Sequence, residues 1–146
     1  MQPGQSYWRL VRGQWFDEGE PPFAGKHHIF IDMLDAAGVR QIGVVLHVTS
    51  LDGLDLLATL VTEAKPGELY ATDYLMTNLA PAYRLLPSDG NPADAVTGMG
   101  LGSLAQPGQW TDTSSLFVWQ WTTAATVTPT GTPSGRMSDA VRAAWP

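Results

Sequence analysis

Apolar and polar residues alternate along several short stretches of the chain, and glycine and proline separate these stretches. Alternation with a period of two is typical of strands that bury one face. The clearest case is residues 41–49, where Ile42, Val44, Leu46 and Val48 fall on the same face. With 15 glycines and 11 prolines acting as breaks between such stretches, the pattern predicts an all-β protein.

The predicted strands are short and spread over most of the chain. They span residues 7–16, 27–34, 41–49, 56–63, 70–76, 82–86 and 116–122. We expect strands 27–34 and 41–49 to form a hairpin across residues 35–40. The leucines of 56–63 would also suit a short helix. Residues 91–109 are rich in glycine, proline and alanine and predict a long loop.

The length of 146 residues fits one domain with a core of its own. The net charge of -6, with only eight Lys and Arg, argues against nucleic acid and anionic membranes as partners. The chain has no cysteine, so disulfides and thiol chemistry are excluded. No secretory signal or apolar span is visible, and we expect the protein to leave a cell within a virion or another extracellular assembly.

Few residues in the sequence suggest catalysis or metal binding. His28, Asp32 and His47 could approach one another on neighbouring strands, but their spacing is unlike a strong ligand set, and we expect no metal and no cofactor. His27 and His28 are expected on opposite faces of a strand. The acids of residues 17–20 are interpreted as a solvated loop, and residues 98–102 as a glycine loop with positive φ and not a phosphate cradle. We therefore expect no catalytic residue and no enzyme activity.

Six tryptophans are a high number for this length. Three lie within predicted strands and are assigned to the core: Trp8, Trp119 and Trp121. Trp15, Trp110 and Trp145 lie beside loops or the terminus, where an exposed ring can contact a partner or stack on a sugar. In the last strand, Phe117 shares a face with Trp119 and Trp121, which predicts that this strand is central to the fold.

The composition changes after residue 123, and the domain is predicted to span residues 1–123. Residues 124–146 are rich in Thr, Pro and Gly and predict an extended arm. Ser138 is a candidate N-cap for a short helical turn at its end. Val141 and Trp145 would lie on one face of that turn and anchor the arm on a neighbour.

Residues 25–35, followed by Gly38-Val39-Arg40 and residues 43–46, resemble an uncharacterised β-sandwich domain of bacterial cell-wall-lytic, surface and tailed-phage proteins. Residues 63–70, 87–90 and 96–102 are similar to it as well, so the resemblance covers about residues 7–123. It implies an immunoglobulin-like or transthyretin-like antiparallel sandwich with a non-catalytic role. The resemblance identifies no catalytic residue in this chain. The Thr/Pro-rich arm is an addition that the resembling domain does not have.

Two functional hypotheses follow from these features. In the first, the protein is a structural subunit that binds its own copies or a larger particle, as a phage decoration or tail-associated protein does. In the second, it is a carbohydrate-binding accessory module whose exposed tryptophans contact a polysaccharide. Partner or glycan contacts are expected at Trp15, Trp110, Val141 and Trp145. We favour the first hypothesis because a chain without a visible signal can leave a cell inside a virion, whereas a lone secreted binding module cannot. An arm of this composition also rarely orders unless something holds it.

Overall fold

The computed structural model describes residues 4–102 and 109–124. Within them the chain is all-β, which confirms the predicted fold class for this part. The strands are β1 (Ser6–Phe16), β2 (His28–Leu34), β3 (Val45–Ser50), β4 (Leu56–Val61), β5 (Thr72–Leu75), β6 (Tyr83–Pro87), β7 (Val96–Met99) and β8 (Ser114–Thr123). No helix long and apolar enough to cross a membrane is found in these residues.

The strands form two sheets of four strands each. The first sheet has the order β1-β8-β2-β5 and the second has the order β4-β3-β6-β7. All neighbouring strands are antiparallel except β2 and β8, which are parallel. The main core contains Ile29 and Trp119 of the first sheet together with Leu46 and Leu85 of the second. The two sheets therefore pack face to face, as in a β-sandwich.

The final strand lies inside its sheet, between β1 and β2, as the sequence predicted. Phe117, Trp119 and Trp121 all belong to or pack against the main core. Trp8 is buried and its Nε1 donates a hydrogen bond to Asp89 Oδ2 at 2.8 Å. The assignment of these three tryptophans to the core is therefore confirmed.

The predicted hairpin between strands 27–34 and 41–49 is wrong. Strand β2 pairs with β5 and β8, whereas β3 pairs with β4 and β6 in the other sheet. The chain does begin a tight turn, because Gln41 N–H donates to Met33 C=O at 2.7 Å. It then crosses to the second sheet at Gly43, whose φ of 85° requires glycine.

The physical reason lies in β2, which is buried on both faces. Ile29, Ile31 and Met33 point into the main core. Phe30 points the other way, into a second cluster with Phe16 and Phe23. A strand that is apolar on both faces is most stable between two neighbours, and β5 and β8 occupy these positions.

The predicted loop at residues 91–109 contains a strand, β7, which is a second correction. Val96 and Met99 of this strand are buried in the main core. Glycines interrupt the alternation of apolar and polar residues in this stretch, but the structure explains why glycine is present at two of these positions. A Cβ at Gly100 would lie 2.4 Å from the backbone of Ala80, and Gly98 has a φ of 96°. The prediction of positive φ in this stretch is confirmed at Gly98 and Gly102.

Candidate functional site

A bulge in β1 decides where Trp15 points. The pairing of β1 with β8 shifts between Leu10 and Arg12. Beyond the shift, Trp15 lies opposite Ser115 and Gly13 lies opposite Phe117. Paired residues share a face of the sheet, and Phe117 belongs to the main core. Trp15 is therefore on the core side of the sheet, at its end, with 39% of its surface exposed.

An opening between the two sheets lies beside Trp15, and we call it the Trp15 cleft. Its volume is about 290 Å³. Residues of β1, β7 and β8 line it, among them Gly13, Trp15, Thr97, Met99, Ser115 and Phe117. No described residue that lines the cleft carries a charge. The cleft thus combines aromatic and apolar surface with uncharged hydrogen-bonding groups.

Trp110 borders the same end of the molecule. Its side chain is 62% exposed. The carbonyl oxygen of Gln109, its neighbour, lies 3.6 Å from the position that a Cβ would take at Gly102. Gly102 itself lines the Trp15 cleft. Two of the four predicted contact residues are thus exposed near one opening, while Val141 and Trp145 lie outside the described residues.

A second surface was not predicted, and we call it the β4 edge. It consists of exposed apolar side chains on and just before β4: Leu54, Leu56, Leu57 and Val61. Leu54 is the most exposed of them, at 82%. The strand prediction for residues 56–63 is confirmed by β4. Its leucines do not alternate with polar residues, and this was the available signal that its outer face is apolar.

The backbone of β4 is paired on one side only. Thr62 N–H donates to Val44 C=O at 3.0 Å, and Gly43 N–H donates to Thr62 C=O at 2.9 Å. Both backbone groups of Thr62 therefore point toward the β3 side. Because this direction alternates along an antiparallel strand, the backbone groups of Thr59 and Val61 point away from β3. Among the described residues, no strand pairs with them there.

The other sheet edges are protected or short. Residues 92–94 cover part of the outer edge of β1, since Trp8 N–H donates to Pro92 C=O at 2.9 Å and Asp94 N–H donates to Trp8 C=O at 2.9 Å. Strands β5 and β7 have only four residues each. Short or covered edges are how proteins avoid unwanted pairing. β4 has six residues, and no described strand pairs with its outer edge.

The structure does not bring His28, Asp32 and His47 together. Nδ1 of His28 lies 2.9 Å from Asp73 Oδ2. Asp32 instead binds Arg40, and His47 lies in the second sheet. Among the described residues, no group of His, Asp and Glu side chains could hold a metal ion.

The expectation that His27 and His28 point to opposite faces is wrong. β2 begins at His28, so His27 precedes the strand and does not follow its alternation. The two rings stack, with centroids 5.8 Å apart and planes 20° apart. Burial lowers the pKa of His28 below its ordinary value, and the Asp73 carboxylate opposes this effect. The nearby positive charge of Lys26 and the neighbouring His27 also lower this pKa, so the surroundings as a whole favour the neutral form of His28.

The acidic loop after β1 forms local contacts. Glu20 Oε1 accepts a hydrogen bond from Asp17 N–H at 2.9 Å, and Asp17 Oδ1 accepts one from Glu18 N–H at 2.7 Å. These carboxylates stabilise the turn that leads to Phe23. The arrangement is that of a structural loop.

The Trp15 cleft and the β4 edge are thus the two surfaces of the described chain that could contact a partner. The cleft presents apolar groups beside uncharged polar side chains, and the β4 edge presents them beside backbone groups that no described strand pairs. Comparison of the chain with models of protein families and with curated proteins finds no match.

Proposed function

We propose that this protein is a non-catalytic assembly protein that binds copies of itself through the β4 edge. The observation that carries the proposal is an uncovered edge strand with exposed leucines and a row of unpaired backbone groups. An exposed apolar edge of this kind is a ready template for pairing with another strand. Natural proteins disrupt such an edge with a charge, a proline or a bulge. β4 contains no charge and no proline, and its pairing with β3 is irregular only at Leu57, near the start of the strand.

The absence of charge on β4 allows a second copy to be the occupant. The protein has a net charge of -6, so two copies repel each other over most of their surfaces. β4 is free of charge over its whole length, LLATLV. Antiparallel pairing about a two-fold axis at Thr59 brings Val61 of one copy beside Leu57 of the other, the residue at which the pairing of β4 with β3 shifts, and the two apolar side chains can pack there.

The same pairing makes association depend on salt. Asp55 and Glu63 flank β4, and an axis at Thr59 sets Asp55 of one copy opposite Glu63 of the other. Like charges at these positions repel, and dissolved salt screens them. Self-association should therefore strengthen as ionic strength rises.

A charge on the β4 edge tests the proposal. Val61→Lys is expected to weaken self-association by about tenfold or more, because a long charged side chain replaces the apolar one that would pack on the other copy, and lysine on an edge strand hinders pairing. Light scattering after size-exclusion chromatography, over a dilution series, measures the effect. Leu69→Lys is the matched control, since Leu69 is 50% exposed and Val61 is 45% exposed. Equal association of both variants and the wild type would contradict the proposal.

We also propose that the arm of residues 124–146 forms a second contact between copies. Val141 and Trp145 would anchor it on the neighbouring copy. Its composition gives it reach over a neighbouring copy. A chain that ends at residue 124 should keep the β-domain and associate more weakly. If this truncation abolishes association while Val61→Lys does not, the arm and not the β4 edge joins the copies.

The immunoglobulin-like variant of the sandwich is part of the proposal. The pairing of β2 with β5, of β3 with β6 and of β6 with β7 is similar to strand pairs B–E, C–F and F–G of that fold. The hydroxyl of Tyr83, at the start of β6, accepts backbone N–H bonds from Thr77 at 2.8 Å and Asn78 at 3.0 Å. This resembles the tyrosine corner of immunoglobulin domains. The parallel pairing of β8 with β2 departs from the usual arrangement.

A further inference from the structure

The Trp15 cleft plays no part in the proposed assembly surface. It opens between β1 and β8 of the first sheet and β7 of the second. The β4 edge lies at the opposite side of the second sheet, whose order is β4-β3-β6-β7. With about 290 Å³, the cleft is at the lower end of the size range of small-molecule sites. It has room for a ligand about as large as one ring.

The lining of the cleft restricts the chemistry of that ligand. The indole of Trp15 is half-exposed, whereas Phe117 and Met99 form the buried end. Thr97 and Ser115 add hydroxyl groups. A charged ligand would lose hydration here without meeting an opposite charge among the described lining residues. A neutral ligand with one flat apolar face and several hydroxyl groups matches this surface.

We infer that the Trp15 cleft binds a neutral sugar ring, stacked on the indole of Trp15 and hydrogen-bonded through its hydroxyl groups. A large rigid aromatic surface supports such stacking at little cost in conformational entropy. Trp110 is exposed and follows Gln109, whose carbonyl oxygen lies near Gly102 of the cleft, so we infer that its ring offers a second surface for the next sugar of a chain. The ligand class is therefore a neutral oligosaccharide, and its binding is independent of self-association.

Saturation-transfer NMR with the full chain tests the inference. The probes are neutral oligosaccharides of glucose, xylose and mannose, with an oligosaccharide of uronic acids as the charged comparison. We expect the wild type to bind at least one neutral probe in preference to the charged one. Trp15→Ala should weaken that binding by about tenfold, because the stacking surface is lost.

Three variants separate stacking from other effects. Trp15→Tyr should retain most of the affinity, since it keeps an aromatic face. Thr97→Val removes an exposed hydroxyl with little change in volume and should weaken binding several-fold. Val61→Lys should leave sugar binding unchanged, so failure of this inference and failure of the assembly proposal are distinguishable.

Three results would overturn the inference. They are the absence of binding to every neutral probe, preference for the uronic acid probe, and unchanged affinity in both Trp15→Ala and Thr97→Val. A thermal melt of each variant identifies any loss that comes from unfolding. If Trp15→Ala unfolds, Trp15→Tyr and Thr97→Val decide the outcome.

Discussion

Replacing Trp119 with alanine is expected to lower the free energy of unfolding by about 3–5 kcal/mol. Trp119 has 0% of its surface exposed and lies in the main core between the sheets. Its Nε1 also donates a hydrogen bond to Asp94 C=O at 3.0 Å. Truncation would therefore leave a large cavity and remove a bond that holds the loop before β7.

Urea denaturation of wild type and Trp119→Ala measures this change. The matched control is Trp110→Ala, because Trp110 is exposed and should change the free energy of unfolding by less than about 1 kcal/mol. A Trp119→Ala variant as stable as the control would mean that β8 is not the centre of its sheet.

Replacing Arg40 with methionine is expected to cost about 3–5 kcal/mol of stability. Arg40 Nε donates to Asp32 Oδ1 at 2.9 Å, and Asp32 is buried in β2. The guanidinium also donates to the carbonyl oxygens of Lys65 at 2.9 Å and Glu68 at 2.7 Å. Without it, Asp32 would be a buried carboxylate lacking its partner charge, and the loop before β5 would lose two bonds.

A double variant separates the two contributions to this loss. Adding Asp32→Leu to Arg40→Met removes the unpaired charge and should recover part of the lost stability, because a buried ion pair can be replaced by apolar groups. Chemical denaturation of both variants measures the recovery. A double variant less stable than Arg40→Met would show that the unpaired Asp32 carboxylate does not account for the stability lost in Arg40→Met.

The sequence predicted most strands because their alternation is local. β3 buries Leu46 and Val48 and leaves Val45 and His47 partly exposed, which the period of two reveals directly. Strand pairing is not local. β2 and β3 look like a hairpin in the sequence, but the apolar residues on both faces of β2 require two neighbours from distant parts of the chain. β7 was missed because glycines required by close contact and positive φ interrupt its pattern.

The candidate sites were predictable only in part. Trp15 and Trp110 were selected as contact residues because they lie beside loops, and both are exposed. The cleft beside Trp15 depends on the bulge after Leu10 and on the meeting of β1, β8 and β7, which no local pattern reveals. The β4 edge depends on strand order, because a local pattern does not show which strand ends a sheet.

Amide hydrogen exchange of β4, followed by NMR over a range of protein concentrations, tests self-association through this edge most directly. The outward amides of Thr59 and Val61 should become more protected as concentration rises, because a second copy then accepts their hydrogen bonds. The amide of Leu60 points toward β3 by the same alternation and serves as the internal reference. Thr59 and Val61 amides that exchange equally fast at every concentration, in a protein that self-associates, would contradict the account.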